Sequence, residues 1–250
     1  MDYLVFKLYG PMASWGKIAV GQARHSESFP TKSSLIGLLA AALGIKRDEE
    51  ARQHALAHGY HFAIKQLAIG THGSDFHTAQ APDSVGKFQY RTRKDELELG
   101  RDRLGTVLSQ RDYRFDALHL IAVNVLDTAP YSLADLKQAL ECPVYPLSLG
   151  RKSCPLAAPL GAEIITAQDV KQALDAYPEK KLSLYFNAEN DLRPALPLSE
   201  LTRYYWEGDK EALGLDDISK VETLELYDQP LSRARWQFSP RRTFLYQTGR

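Results

Sequence analysis

Cysteine, net charge and long apolar runs are all scarce in this chain, and each scarcity narrows what it can be. Cys142 and Cys154 are the only thiols, and neither belongs to a C-x-x-C pair with further Cys or His ligands. That excludes a recognisable zinc site, and both thiols are read as reduced. Net charge is zero, with 31 Lys plus Arg against 31 Asp plus Glu. A nucleic-acid partner therefore cannot be inferred from overall charge, only from how charge is segregated along the chain. No stretch reaches the length of a membrane span, and the first apolar run, residues 3–9, is short and interrupted by Lys7. Neither a signal peptide nor a membrane partner is expected, and the expected location is the cytoplasm.

What is present is 250 residues, 44% hydrophobic and 25% charged, enough for one large domain or two small ones. Residues 3–9 alternate and are rich in β formers, which predicts a strand broken by Gly10-Pro11. Leu35, Ile36, Leu38, Leu39, Ala42 and Leu43 recur at helical spacing, with Thr31 or Ser33 as N-cap and Gly44 as terminator. A charged helix over 48–58 and a strand over 60–69 follow. Further on, a strand over 117–125, a helix over 132–141, a strand over 160–166 and a helix opened by Thr166 and Asp169 complete a second β-α-β half. Two such halves predict an α+β, ferredoxin-like (RRM-like) N-terminal domain over 1–166, followed by a smaller β-rich domain over 167–250.

Residues 72–114 are too many for an ordinary connection. They carry Lys87, Arg91, Arg93, Lys94, Arg101, Arg103, Arg111 and Arg114 interleaved with Phe88, Tyr90 and Tyr113, the composition of an arm that touches a polyanion or of a solvated loop. Residues 187–228 hold eleven acids against four bases and are expected to face solvent or a basic partner. From 230 to 250 the balance reverses, to five arginines and no acid, with Trp236, Phe238, Phe244 and Tyr246 suggesting a strand pair with one basic face.

Two short segments could seat phosphate. Phe29-Pro30-Thr31-Lys32-Ser33-Ser34-Leu35 opens a helix with a Lys-Ser pair, but it lacks the glycines that let a backbone wrap a polyphosphate, so ATP is not expected. Exposed amides beside Lys32, Ser33 and Ser34 suit a single phosphate, and simple N-capping accounts for the serines equally well. Leu149-Gly150-Arg151-Lys152-Ser153-Cys154-Pro155 is a stiff basic turn that could supply guanidinium and amide donors, or be a surface loop with two solvated cations. His54, His58 and His61 lack a third ligand at a recognised offset and suit a helix C-terminus instead. His25, His72, His77 and His119 are possible acids or bases, but no hydrolytic motif accompanies them.

Three segments, in this order and spacing, carry a family resemblance: Gly10-Pro11-Met12-Ala13-Ser14-Trp15-Gly16, the helix opening from Phe29 to Leu39, and Leu149 to Pro155. Together they resemble the CasD family, within the Cas-five family, of E-subtype CRISPR Cascade complexes; a looser match runs from His77-Thr78 through Arg111-Asp112-Tyr113 to Ala117. The resemblance implies a ferredoxin-like domain whose 72–114 insertion is a β-hairpin thumb. It also implies a non-catalytic, cofactor-free, metal-free subunit that holds the 5′ handle of the guide crRNA and caps the Cascade backbone subunits. Contact with the large subunit, and through it indirectly with target DNA, is implied as well. By matching position, the RNA-binding residues are Trp15, Lys17, Lys32, Ser33, Ser34, Arg151, Lys152 and Ser153, with Tyr90, Arg91, Arg93 and Arg111 on the thumb. A C-subtype relative implies the alternative, a metal-independent endoribonuclease processing repeat RNA with a Tyr, His and Lys set. Here Tyr9, His25 and Lys32 are of the right types, but no flanking motif ties them to that set.

Overall fold

The computed structural model describes residues 1–19, 21–83, 90–98, 100–182, 196, 199–233 and 235–249. The first elements are β1 (Asp2–Tyr9) and four two-residue strands, β2 (Met12–Ala13), β3 (Trp15–Gly16), β4 (Ala23–Arg24) and β5 (Ser26–Glu27), then helices α1 (Lys32–Ala42) and α2 (Glu50–Gly59). Next come β6 (Tyr60–Ala68), β7 (Thr71–Pro82), α3 (Arg93–Leu97), β8 (Leu104–Phe115), β9 (Leu118–Val125), α4 (Leu133–Glu141) and β10 (Glu163–Thr166). The chain ends with α5 (Val170–Asp175), α6 (Glu179–Leu182), β11 (Leu201–Trp206), β12 (Glu222–Ser232) and β13 (Gln237–Gly249). No helix among the described residues is long and apolar enough to cross a membrane.

The helix starts follow local chemistry. Thr31 caps α1 by accepting the Ser34 amide, and Gly44 ends the helix at φ +70°. Ser132 and Asp135 close a reciprocal capping box on α4. At α5 the cap is Asp169 alone, accepting from the Gln172 amide, whereas Thr166 ends β10.

Seven strands form one antiparallel sheet in the order β10-β1-β9-β6-β11-β13-β12. Residues after 166 therefore continue the sheet begun by β1, joined through the β6–β11 ladder that pairs Ala63 with Trp206. On one face Leu4, Phe6, Leu8, Ile64, Ile121 and Val123 pack against α1, α2 and α4. On the other, Tyr3, Val5, Leu120, Ala122, Tyr204 and Trp206 meet Val170, Ala173 and Leu174 of α5. Cover on both faces explains why β1 is buried from Tyr3 to Tyr9.

The 72–114 insertion is a two-stranded ribbon, with β7 and β8 paired residue for residue from Thr71–Phe115 to Pro82–Leu104. None of its described residues from 71 to 111 is buried, and only Tyr113, at its base, joins an apolar core. Lys87 and Phe88 lie outside the described residues. Replacing 83–103 with an Asn-Gly turn joining Pro82 to Leu104 should leave the melting temperature close to that of the parent. Leu39→Ala, which empties a buried site in α1, should cost about 3 kcal/mol in urea unfolding. A ribbon deletion that destabilises as much as Leu39→Ala would place the ribbon in the cooperative core.

Candidate nucleic-acid interface

The first and third resemblance segments interlock at the base of the ribbon. Gly150 adopts φ +87°, and a Cβ there would stand 1.9 Å from the Ser14 carbonyl oxygen. A Cβ on Gly10 would stand 2.6 Å from the Pro155 carbonyl oxygen. Both glycines are thus required for backbone to lie on backbone, and the Ser14 amide donates to the Leu149 carbonyl at 3.0 Å. The 149–155 loop is closed by Leu149 N–H to Cys154 O at 2.7 Å and Cys154 N–H to Arg151 O at 2.9 Å. Segment 10–27 then crosses the ribbon base, where β2 pairs antiparallel and β4 parallel with β8.

This junction collects cations. The Arg151 guanidinium lies 5.0 Å over the Tyr113 ring, donates to the Arg24 carbonyl at 3.3 Å, and leaves its Nη1 with no acceptor among the described residues. Lys152 and Ser153 are exposed. Arg24 stands beside Arg111 in the β4–β8 register, and Lys17 pairs with Glu27 at 3.2 Å. Below them, Asp112 accepts from His25 Nδ1 at 2.8 Å and Ser74 Oγ at 2.9 Å, with His72 Nε2 at 3.5 Å. Burial pushes the Asp112 carboxyl up, but hydrogen bonds from His25, Ser74 and His72 outweigh it and hold the group below its ordinary value. Trp15 is buried, its ring perpendicular to that of His119 with centroids 6.1 Å apart, so it supports the junction rather than offering a face to a base.

The α1 opening is not the open phosphate seat expected from the sequence. The Lys32 amide already donates to the Asp228 carboxylate at 2.6 Å, and the buried Lys32 ammonium pairs with Glu207 at 2.8 Å. Arg241 holds Asp228 through Nε at 2.6 Å and Nη2 at 3.0 Å and reaches Glu207 at 3.7 Å, closing a four-charge ring. Glu207 also accepts the Phe62 amide at 2.8 Å. An internal carboxylate therefore occupies the position an external phosphate would take. Ser33 and Ser34 are likewise engaged locally, Ser33 Oγ with Thr31 at 3.1 Å and the Ser33 carbonyl with Arg233, while Ser34 Oγ also meets Thr31. Most described acids of the acidic stretch face solvent as expected, Glu200, Asp209, Glu211, Asp216, Asp217, Glu222 and Glu225 among them, but Glu207 and Asp228 are buried, where cations from α1 and β13 neutralise them.

On the ribbon, Arg93 pairs with Glu96 and donates to the Gln80 carbonyl, Tyr90 Oη donates to the Asp83 carbonyl at 3.4 Å, and Arg91 is exposed. The three residue types of the cleavage alternative have different partners: Tyr9 meets Asp116, His25 meets Asp112 and Lys32 meets Glu207. Reading the sequence by segments missed Asp112, His25 and His72 as one cluster, although Arg111-Asp112-Tyr113 had marked the place. Glu207, Asp228 and Arg241 carried no signal, since only the fold brings them to Lys32.

Comparison with known proteins assigns the class. The family model described as CRISPR-associated protein (Cas_Cas5) matches residues 3–244, and this chain belongs to that family. The CRISPR system Cascade subunit CasD of Escherichia coli (strain K12) is 30% identical over 224 residues, covering 82% of this chain and 95% of the relative. A chain of a solved CRISPR RNA-guided surveillance complex has the same fold at TM-score 0.65 and 20% identity, covering 99% of this chain and 89% of its own. Another, a crystal structure of a Cas protein, matches at TM-score 0.60 and 22% identity over 99% and 94%.

Two outcomes follow from the buried groups. Asp228→Ala leaves Lys32, Glu207 and Arg241 unbalanced and should cost about 3–5 kcal/mol in urea unfolding. A loss under about 1 kcal/mol would show that the ring is not a structural tie. His119 is fully buried, and burial pushes its imidazole from 6.5 to about 4, leaving it neutral near pH 7. The unfolded chain takes up this proton near pH 6.5 and the folded chain only near pH 4. Stability present above pH 6.5 is therefore lost as pH falls toward 4, by up to about 3 kcal/mol. His119→Gln should show a smaller acid loss than the parent, and an equal loss would mean that another group is linked.

Proposed function

We propose that this chain is an RNA-binding subunit without catalytic chemistry in a type I-E Cascade complex, holding the 5′ handle of the guide crRNA at the ribbon base. The observation that carries this reading is the interlock of Gly10–Gly16 with Leu149–Pro155, two separate segments that form one rigid basic surface. In this reading Arg151, Lys152, Ser153, Lys17 and Arg111 meet phosphates, Trp15 supports them, and the outer ribbon with Tyr90, Arg91 and Arg93 contacts guide and backbone subunits. Lys32, Ser33 and Ser34 act as scaffold, tying α1 to the last hairpin. The strand order β10-β1-β9-β6, with a helical layer on one face, supports a ferredoxin-like unit over 1–166. Residues 167–250 then form a smaller unit that extends its sheet. The E. coli relative's name, a Cascade subunit, supports assembly with the backbone and large subunits, and so indirect engagement of target DNA.

Changing Arg151 and Lys152 together to Ala should weaken handle RNA binding by about one to a few kcal/mol and flatten its salt dependence. Folding should hardly change, since neither cation forms an ion pair with a carboxylate among the described residues. Unchanged affinity with an unchanged salt slope would remove the loop from the RNA site. Burial of Lys32 against Glu207 counts against the cleavage alternative, and repeat RNA incubated with the chain in EDTA should stay intact.

A further inference from the structure

The turn from β12 to β13 carries an exposed cluster that the handle site does not use. Trp236 sits in this turn at φ +57° and is 59% exposed, whereas Trp15 and Trp206 are 2% and 1% exposed. A left-handed backbone is costly for a bulky residue, and a solvent-facing indole gains little from folding. Yet the ring is firmly held. The Arg47 guanidinium lies 4.6 Å over it, Arg233 lies at 5.7 Å, and Phe238 meets it edge-on at 5.7 Å.

The cations are fixed in turn. Arg47 Nε donates to the Arg233 carbonyl at 2.8 Å, and Arg233 Nη2 donates to the Ser33 carbonyl at 2.5 Å, which anchors the turn to α1. Arg235 is exposed, its amide held by Ser232 Oγ at 3.1 Å. None of these three guanidiniums forms an ion pair with a carboxylate among the described residues, unlike Arg52, Arg93, Arg103 and Arg241. Nearby acids are already engaged: Glu49 with Arg52, and Glu50 with the Ser232 hydroxyl. Burial, together with the neighbouring Arg47 charge, pushes the Arg233 guanidinium below its ordinary value, a repulsion that an anion would relieve.

The geometry points to a second binding site at this turn, in which a base of single-stranded nucleic acid stacks on Trp236 while Arg47, Arg233 and Arg235 meet its phosphates. An aromatic platform interleaved with unpaired guanidiniums is the arrangement that binds single strands with little sequence preference. The site is independent of the handle reading, because none of its residues belongs to the ribbon base.

The test is a fluorescence titration of the full chain with a single-stranded oligouridylate at low salt, since Trp236 is the exposed indole. Saturable, salt-sensitive quenching is expected, and it should persist in the Arg151→Ala, Lys152→Ala double variant even if handle binding is lost there. Trp236→Phe should abolish the quenching without moving the melting temperature, and Arg235→Ala should weaken it about tenfold. Absence of quenching in the parent, or quenching retained by Trp236→Phe, would overturn the site. Equal quenching by a polyglutamate peptide would overturn it too, assigning the turn to an acidic protein instead.

Discussion

A ring of four charges, Lys32, Glu207 and Asp228 buried and Arg241 partly buried, ties the N-terminal half of this chain to its last hairpin. Each ion is costly to desolvate, and the ring offsets that cost only because every member is both paired and hydrogen-bonded. The Lys32 amide, the Phe62 amide and Thr243 Oγ1 complete the set. Apolar packing alone would let β12 slide along α1. Charges at fixed positions allow one register, so the ring contributes specificity at least as much as net stability.

In the proposed function, this arrangement moves the RNA contact away from the start of α1. A helix N-terminus attracts an anion, and in α1 the anion is the protein's own Asp228 carboxylate. Exposed donors are found instead at the ribbon base, where the glycine interlock removes the side chains that would separate the 149–155 loop from the 10–16 segment. Rigidity there has a physical value: a basic loop already held in shape loses less entropy on binding than a free one.

Much of the fold was legible because periodicity and caps are local. The α1 stripe from Leu35 to Ala42, the Ser132–Asp135 cap and the length of 72–114 each implied an element that the structure contains. The interlock was legible only in part: two glycine-bearing motifs could be seen, but nothing in their spacing says that Gly150 rests on Ser14. Least legible was Lys32. A lysine followed by serines at a helix start reads as a phosphate seat unless a carboxylate nearly two hundred residues away is known to fill it, and Asp228 lay in a stretch whose composition suggested solvent. Composition reports the average setting of a segment, whereas burial is decided one residue at a time.

The same distinction explains how a chain of zero net charge can present basic surfaces. Several of its acids are engaged by internal partners: Glu207 and Asp228 in the ring, Asp175 between Lys65 and Lys171, and Glu163 between Lys137 and Lys181. Lys32, Lys65, Lys137, Lys171 and Lys181 are engaged with them. Arginines at the ribbon base and the β12–β13 turn have carbonyls and aromatic rings as partners instead, which fix their direction without cancelling their charge. Neutralisation by pairing is local, so the field a phosphate feels near Arg151 depends on which cations remain unpaired there and not on the sum over the sequence.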